Sequence, residues 1–275
     1  MTAPAAAHVR ERWWDDFFDD DFAALWLSDD DPRERDQRTT GLMRLLDLGA
    51  GSRLFDQCCG VGRVAVPLVE RGVHVHGVDG VASYVERARA GCQALPDASR
   101  GEFRFERADA FTHVPSTPCD AAINWYTSFG YAADDAANGA MLRCAHDALR
   151  AGGHFALDYP DMERVRACFR PRSERRRSTP RGPFTAVREA VLDERRQMLV
   201  DRWTFVAPSG ETRTRRGETR LYTRVELRAL LSAAGFEVLH EVDATDVGYS
   251  EDAGRSIWLA RRPGQRTGQP GGWGR

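Results

Sequence analysis

The chain sorts its apolar residues into short continuous runs separated by amphipathic stretches. Runs at 53–55, 73–78, 119–123 and 154–157, with a shorter one at 103–105, have the length of buried strands. Between them apolar positions recur at helical spacing. Val81, Tyr84, Val85, Ala88 and Cys92 mark one helix, and Ala137, Met141, Leu142, Ala145 and Leu149 mark another, capped by Asp134 or Asp135. Gly152-Gly153 stops the second of these. Five strands alternating with helices predict a parallel, doubly wound α/β sheet.

The pattern changes on either side of this core. The stretch 170–183 is rich in arginine, broken by prolines, and reads as an exposed loop. Runs at 187–192, 198–206 and 212–222 predict antiparallel strands, joined by turns at 193–197 and at Pro208-Ser209-Gly210. Thr223-Arg224-Val225-Glu226 is a capping box that opens a helix, with Tyr222 and Leu227 placed as its hydrophobic staple. Strands at 236–242 and 256–262 follow. Near the N-terminus, Trp14, Phe18, Phe22 and Leu25 share one helical stripe and aspartates take the other side. A charged turn around Pro32 and a helix over 42–48 complete that region.

The expected organisation is therefore an N-terminal helical lid (1–48, frayed over 1–10) and a core (49–159 and 223–262). To these are added a small antiparallel insertion (160–222), as substrate roof or dimer contact, and a disordered tail (263–275). Large rings suit a lid that excludes water, although a plain core-covering helix has the same pattern.

The chemistry concentrates after the first strand. Asp56 ends it, a turn with Gly60 and Gly62 follows, and a helix begins at once. Such a turn lets backbone approach a ligand where a Cβ would collide. The second strand ends at Asp79, about 20 residues past the turn, where a carboxylate can accept from ribose hydroxyls. An adenosine-containing cofactor at the carboxyl ends of parallel strands fits this arrangement.

Composition narrows the classes. Among 275 residues 42% are hydrophobic, the net charge is −2, and the basic residues are all arginine, a bias of composition rather than chemistry. No basic field or interleaved aromatics point to nucleic acid. The six cysteines form no CxxC pair and no run has membrane length, so a cytoplasmic protein with reduced thiols is expected. His74 and His76 share a strand face without a third ligand at a recognisable spacing, so no metal is expected. His113 is a weaker alternative base, and Cys58 and Cys59 read as packing residues rather than nucleophiles.

Together these stretches resemble the class I S-adenosylmethionine-dependent methyltransferases, from about Leu54 to Arg262. Their Asp-x-Gly-x-Gly-x-Gly turn corresponds to Asp56, Cys58, Gly60 and Gly62, with Cys58 in a glycine's place, a change the turn tolerates if φ stays negative there. Asp79 matches the ribose-binding acid, and Asp109 with Ala110 matches the position that meets adenine. Leu149 to Gly153 and Leu230 to Phe236 resemble two later junctions, and Thr127-Ser128-Phe129-Gly130-Tyr131 resembles a subgroup acting on small metabolites and peptide natural products. The resemblance implies a seven-stranded sheet, mostly parallel with the last strand antiparallel. It implies S-adenosylmethionine held by Trp14, Phe18, Asp56, Cys58, Cys59, Gly60, Gly62, Asp79, Gly80, Asp109, Ala110, Asn124 and Trp125. Tyr126, Asp158 and Tyr159 end strands at the cleft and would orient the acceptor or take its proton. The acceptor would be a small molecule or peptide, methylated on N or O, and the chain a possible homodimer. A nicotinamide-dependent oxidoreductase is the rival, since Gly60 to Ala65 fits GxGxxA, but no Tyr-x-x-x-Lys site exists without lysine. A binding protein that holds the cofactor without turnover is the third reading.

Overall fold

The computed structural model describes residues 12–27, 31–179, 182–249 and 255–264. The whole of the expected frayed stretch 1–10 and all but two residues of the expected tail lie outside them.

The central sheet contains β1 (Arg53–Gln57), β2 (His74–Asp79), β3 (Phe103–Arg107), β4 (Cys119–Asn124) and β5 (Leu149–Tyr159). A second sheet contains β6 (Arg172–Thr179), β7 (Gly182–Asp193), β8 (Met198–Val206) and β9 (Thr212–Arg220), and the chain returns to the first with β10 (Glu237–Val242) and β11 (Ser256–Arg261). The seven-stranded order is β10-β11-β5-β4-β1-β2-β3. β1 to β5 pair in parallel, while β11 runs antiparallel to both β5 and β10. The expected mostly parallel sheet with an antiparallel last strand is thus observed.

Helices cover both faces. Leu42 and Leu46, from α3 (Pro32–Leu45) and its C-cap, join Leu68 of α4 (Ala65–Glu70) and Ala88 of α5 (Ala82–Gln93) against Leu54 and Ile123. On the other face Met141 and Leu142 of α6 (Asp135–Asp147) and Leu227 and Leu231 of α8 (Arg224–Ala233) pack on Phe55 and Phe155. The capping box at Thr223 and Glu226 forms as expected.

Four elements differ from expectation. The N-terminal stripe is not one helix: α1 (Trp14–Phe17) and α2 (Asp20–Phe22) are separated by extended backbone at Phe18 and Asp19. Asp19 accepts from the Phe22 N–H, so the acidic side of the stripe supplies a cap that restarts the chain. The charged turn around Pro32 is the first turn of α3, with Asp31 as cap and Pro32 in the first turn, where its missing N–H costs nothing. The arginine-rich stretch 170–183 is mostly β6, an edge strand whose exposed charges discourage further pairing. Gly152 and Gly153 lie within β5 rather than ending α6, and α7 (Met162–Cys168) opens the insertion under an Asp161 cap.

The insertion is expected as a substrate roof or a dimer contact. No described residue of 160–222 lines the central cavity. Instead Phe184, Ala186 and Phe205 pack on Leu25, with Phe22, Trp26 and Trp203 around them. The second sheet therefore backs the lid, one layer away from the cleft.

Candidate active site

The turn after β1 is built by alternating handedness. Cys58, Gly60 and Gly62 have φ of 66°, 55° and 84°. The negative φ expected at Cys58 is not observed: the cysteine adopts the left-handed conformation that a glycine would take more cheaply, by about 1–2 kcal/mol. Gly62 lacks a side chain for a second reason, since a Cβ there would come within 3.0 Å of Ala88 and Val66. Asp79 fastens the turn to β2. One carboxylate oxygen accepts from the Gly60 N–H and the other from the Val81 N–H, each at 2.9 Å. Burial pushes the Asp79 carboxyl up, and the two backbone donors pull against that.

Asp56 and Asp79 both border a cavity of about 850 Å³. Asp56 is buried, and its Oδ2 has no hydrogen-bond partner. Burial, and then the charge of Asp79, push its carboxyl up to about 7. A carboxylate so placed is ready to receive a cation. Beyond Asp79 the wall continues through Gly80, Asp109, Ala110 and Phe111. The lining also includes Trp125, Tyr126, Ser128, Tyr131 and Arg255.

The N-terminal segment closes the cavity. Trp14 stacks on Phe111 with ring centroids 5.4 Å apart, and Arg12 pairs with Asp109 at 2.8 Å. Phe18 stacks on Tyr131 at 5.8 Å, and Phe22 on Trp26 at 5.3 Å. Trp26 meets Trp203 of β8 edge-on at 4.8 Å. Trp13 donates its indole N–H to the Tyr131 carbonyl and lies over Gly217, where a Cβ would sit 2.9 Å from the ring. The Tyr84 hydroxyl donates to the Asp19 carbonyl at 2.6 Å, and Arg215 pairs with Asp19. The lid is thus held by the core on one side and by the second sheet on the other.

Of the residues expected at the cofactor, Trp14, Phe18, Asp56, Cys58, Cys59, Gly60, Asp79, Gly80, Asp109, Ala110 and Trp125 line the cavity. Gly62 and Asn124 do not. Asn124 is buried behind the wall, where its amide donates to Gln57, whose own amide donates to the carbonyls of Ala110 and Met141. Burial pushes the Cys58 and Cys59 thiols well above their usual range, which keeps both out of nucleophilic chemistry.

Of the residues expected to act on the acceptor, only Tyr126 lines the cavity. Tyr159 is fully buried; its hydroxyl bonds the Arg220 carbonyl and accepts from the Tyr222 N–H. Asp158 is also fully buried and points away from the cavity, accepting from the Tyr126 N–H, the Tyr249 hydroxyl and Arg255. His113 lies outside the cavity as well. Sequence reasoning missed Arg12, Phe22, Trp26, Arg63, Phe111 and Arg255 on the wall. The acidic and aromatic N-terminal pattern carried a signal for the first few; nothing local marks Arg255.

Residues 33–241 match the family described as a methyltransferase domain. The chain belongs to that family. This assignment displaces the nicotinamide alternative. The chain is 35% identical over 145 residues to an S-adenosyl-L-methionine-dependent Diels-Alderase of Talaromyces variabilis, covering 51% of this chain and 44% of that protein. The chain therefore spans less than half the length of that curated relative. Its fold is that of the CcbJ methyltransferase of Streptomyces caelestis, with a TM-score of 0.67, 16% identity, and coverage of 93% and 96% of the two chains. It is equally that of a sugar N-methyltransferase of Streptoalloteichus, with a TM-score of 0.64, 20% identity and 96% of each chain covered. No helix among the described residues is long and apolar enough to cross a membrane.

Proposed function

We propose that the chain transfers a methyl group from S-adenosylmethionine to a nitrogen or oxygen of a small molecule or peptide natural product. The observation that carries this reading is the cavity that Asp79 and the orphaned Asp56 carboxylate share with Tyr126, Ser128, Tyr131 and Arg255. The residues fit the cofactor: Asp79 and the Asp109-Ala110-Phe111 wall offer a polar and aromatic seat for an adenosine, and Asp56 offers a counter-charge for a ligand ammonium. Bound there, the cofactor supplies an electrophilic methyl on a sulfonium. The protein's own part is alignment and exclusion of water, worth on the order of 7–11 kcal/mol where reactants are held well.

Support for an amine acceptor comes from the wall. No histidine among the described residues lines the cavity, and burial pushes the Tyr131 and Tyr84 hydroxyls far up, so neither is a base near neutral pH. A neutral amine needs no proton removed before attack. Asp158 then acts as a positioning residue through Tyr126, not as the base. Two solved methyltransferases of this fold are described as acting on a sugar nitrogen and on an amino pentose, which agrees with an amine.

A second reading follows from the 35% identity to the Diels-Alderase: the same cavity would hold the cofactor as a fixed charge while a bound polyene rearranges. One experiment separates the two. Purified chain is titrated with S-adenosylmethionine by calorimetry and then incubated with it and a library of amines, phenols and polyenes. A product heavier by one methyl, with S-adenosylhomocysteine released, supports transfer. A product of unchanged mass with cofactor unconsumed supports the second reading, and absence of cofactor binding overturns both.

A further inference from the structure

Outside the cavity, on the α6 face of the sheet at its β2–β3 edge, three potential ligands converge. His76 comes from β2, Glu106 from β3, and His113 from the connection to β4. His76 Nε2 and Glu106 Oε1 stand 2.7 Å apart, and the two imidazole rings lie edge to face with centroids at 5.2 Å. One ligand atom of each residue lies within 4.8 Å of the others. His76 Nε2 and Glu106 Oε1 are buried against each other, and beside them the buried His113 Nε2 has no hydrogen-bond partner. A buried polar atom left unsatisfied is unusual, because it costs about 1–3 kcal/mol.

We propose that His76, Glu106 and His113 bind a divalent transition-metal ion of the zinc class. Two imidazoles and one carboxylate are a familiar ligand set for such an ion, with a fourth position left for water. The side chains of His76 and Glu106 are 17% and 31% exposed, so ion and water can reach the site from solvent. Bonds of about 2.1 Å in a tetrahedral arrangement require ligand atoms roughly 3.4 Å apart, so the His76–Glu106 pair at 2.7 Å must open slightly and His113, within 4.8 Å of both, must close in. Arg104 pairs with the other oxygen of Glu106 and leaves Oε1 to the ion. His74 takes no part, since its Nδ1 accepts from the Glu102 N–H. The ligand set is thus not the His74–His76 pair that strand alternation suggests.

The site has a mechanical link to the cavity. The His113 N–H donates to the Asp109 carbonyl at 2.9 Å, and the Phe111 N–H donates to Asp109 Oδ1 at 3.0 Å. An ion on His113 therefore pins the same turn that presents Asp109, Ala110 and Phe111 to the cavity.

The test uses the full chain without a histidine tag, stripped with a chelator and titrated with zinc alone by calorimetry, with cobalt(II) as a spectroscopic probe. The expected result is one equivalent of zinc, affinity lowered at least about tenfold in His113→Gln and in His76→Gln, and a cobalt spectrum without a thiolate charge-transfer band. Glu106→Gln, at the more exposed ligand, supplies the same comparison if a histidine variant fails to fold. Absence of zinc binding by the parent, unchanged affinity in the folded variants, or a thiolate band that moves the ion to the cysteines would each overturn the site.

Discussion

Asp158 and Arg255 form an ion pair at 3.1 Å beneath the floor of the cavity, the aspartate without any exposure to solvent. Arg255 continues to the Thr127 hydroxyl at 2.6 Å, and Asp158 also holds the Tyr126 N–H. Tyr126 and Thr127 have φ of 59° and 63°, so the pair stabilises two consecutive non-glycine residues in the left-handed region. Tyr126 is the one expected acceptor-site residue on the wall, and its placement rests on this buried charge.

Breaking the pair is accordingly expected to act through structure. Asp158→Asn should lower stability by about 3–5 kcal/mol, because it strands a largely buried guanidinium. The paired change Asp158→Asn with Arg255→Met should recover part of that loss. Denaturant melts of the two single variants and the double variant measure the coupling, expected at about 1–3 kcal/mol. Strict additivity would mean that the pair does not set the loop.

Asp79→Ala should weaken S-adenosylmethionine binding by at least ~1.5 kcal/mol, about tenfold, as expected for lost charge-assisted hydrogen bonds. The loss has two parts here, since Asp79 also ties Gly60 and Val81 in place. Calorimetry on the variant reads the sum; unaltered affinity would remove the residue from the site.

Asp56 makes a signed prediction in pH. Its folded pKa of about 7 lies above the unfolded value of ~3.9, so folding favours the protonated form. This group's contribution is fully present below about pH 4 and is lost as pH rises to about 7, a change of up to about 4 kcal/mol. Without cofactor, Asp56→Asn should therefore gain stability over the parent as pH rises through that window. A cationic ligand favours the carboxylate, so cofactor affinity of the parent should climb toward pH 7 and that of Asp56→Asn should not. Thermal melts and calorimetry between pH 5 and pH 8 check both; parallel curves for the two proteins would refute the assignment.

The lid supplies a prediction at a distance. Trp203 touches Trp26 and Phe22 but not the cavity. Trp203→Ala should cost about 3 kcal/mol locally and speed amide exchange over 12–27, while cofactor binding should slow exchange there in the parent. Exchange that ignores both the substitution and the ligand would make the segment a fixed part of the core.

The core was legible because burial forces a simple code. Strands covered on both faces must be apolar along their middle, as Ala121, Ala122 and Ile123 are within Cys119–Asn124, and helices between them must show a stripe, as Ala82–Gln93 does. Asp56, Gly60 and Asp79 were legible because a tight turn and a strand end leave few chemical options. What stayed hidden depends on long-range partners. Strand position alone put Asp158 at the cleft, but Arg255, close to a hundred residues later, turns its carboxylate inward. Asn124 likewise ends a strand yet faces Gln57. The arginines of β6 hid a strand because edge strands carry charge for reasons unrelated to backbone preference. The break at Phe18 was invisible to periodicity, since the same aspartates that paint the polar side of a helix also cap a new one.

The interleaving of lid and second sheet has a consequence for traffic. The segment over the cleft is clasped from outside by a sheet inserted between β5 and α8. An outward swing of that segment must therefore part Trp26 from Trp203 or carry the second sheet along with it.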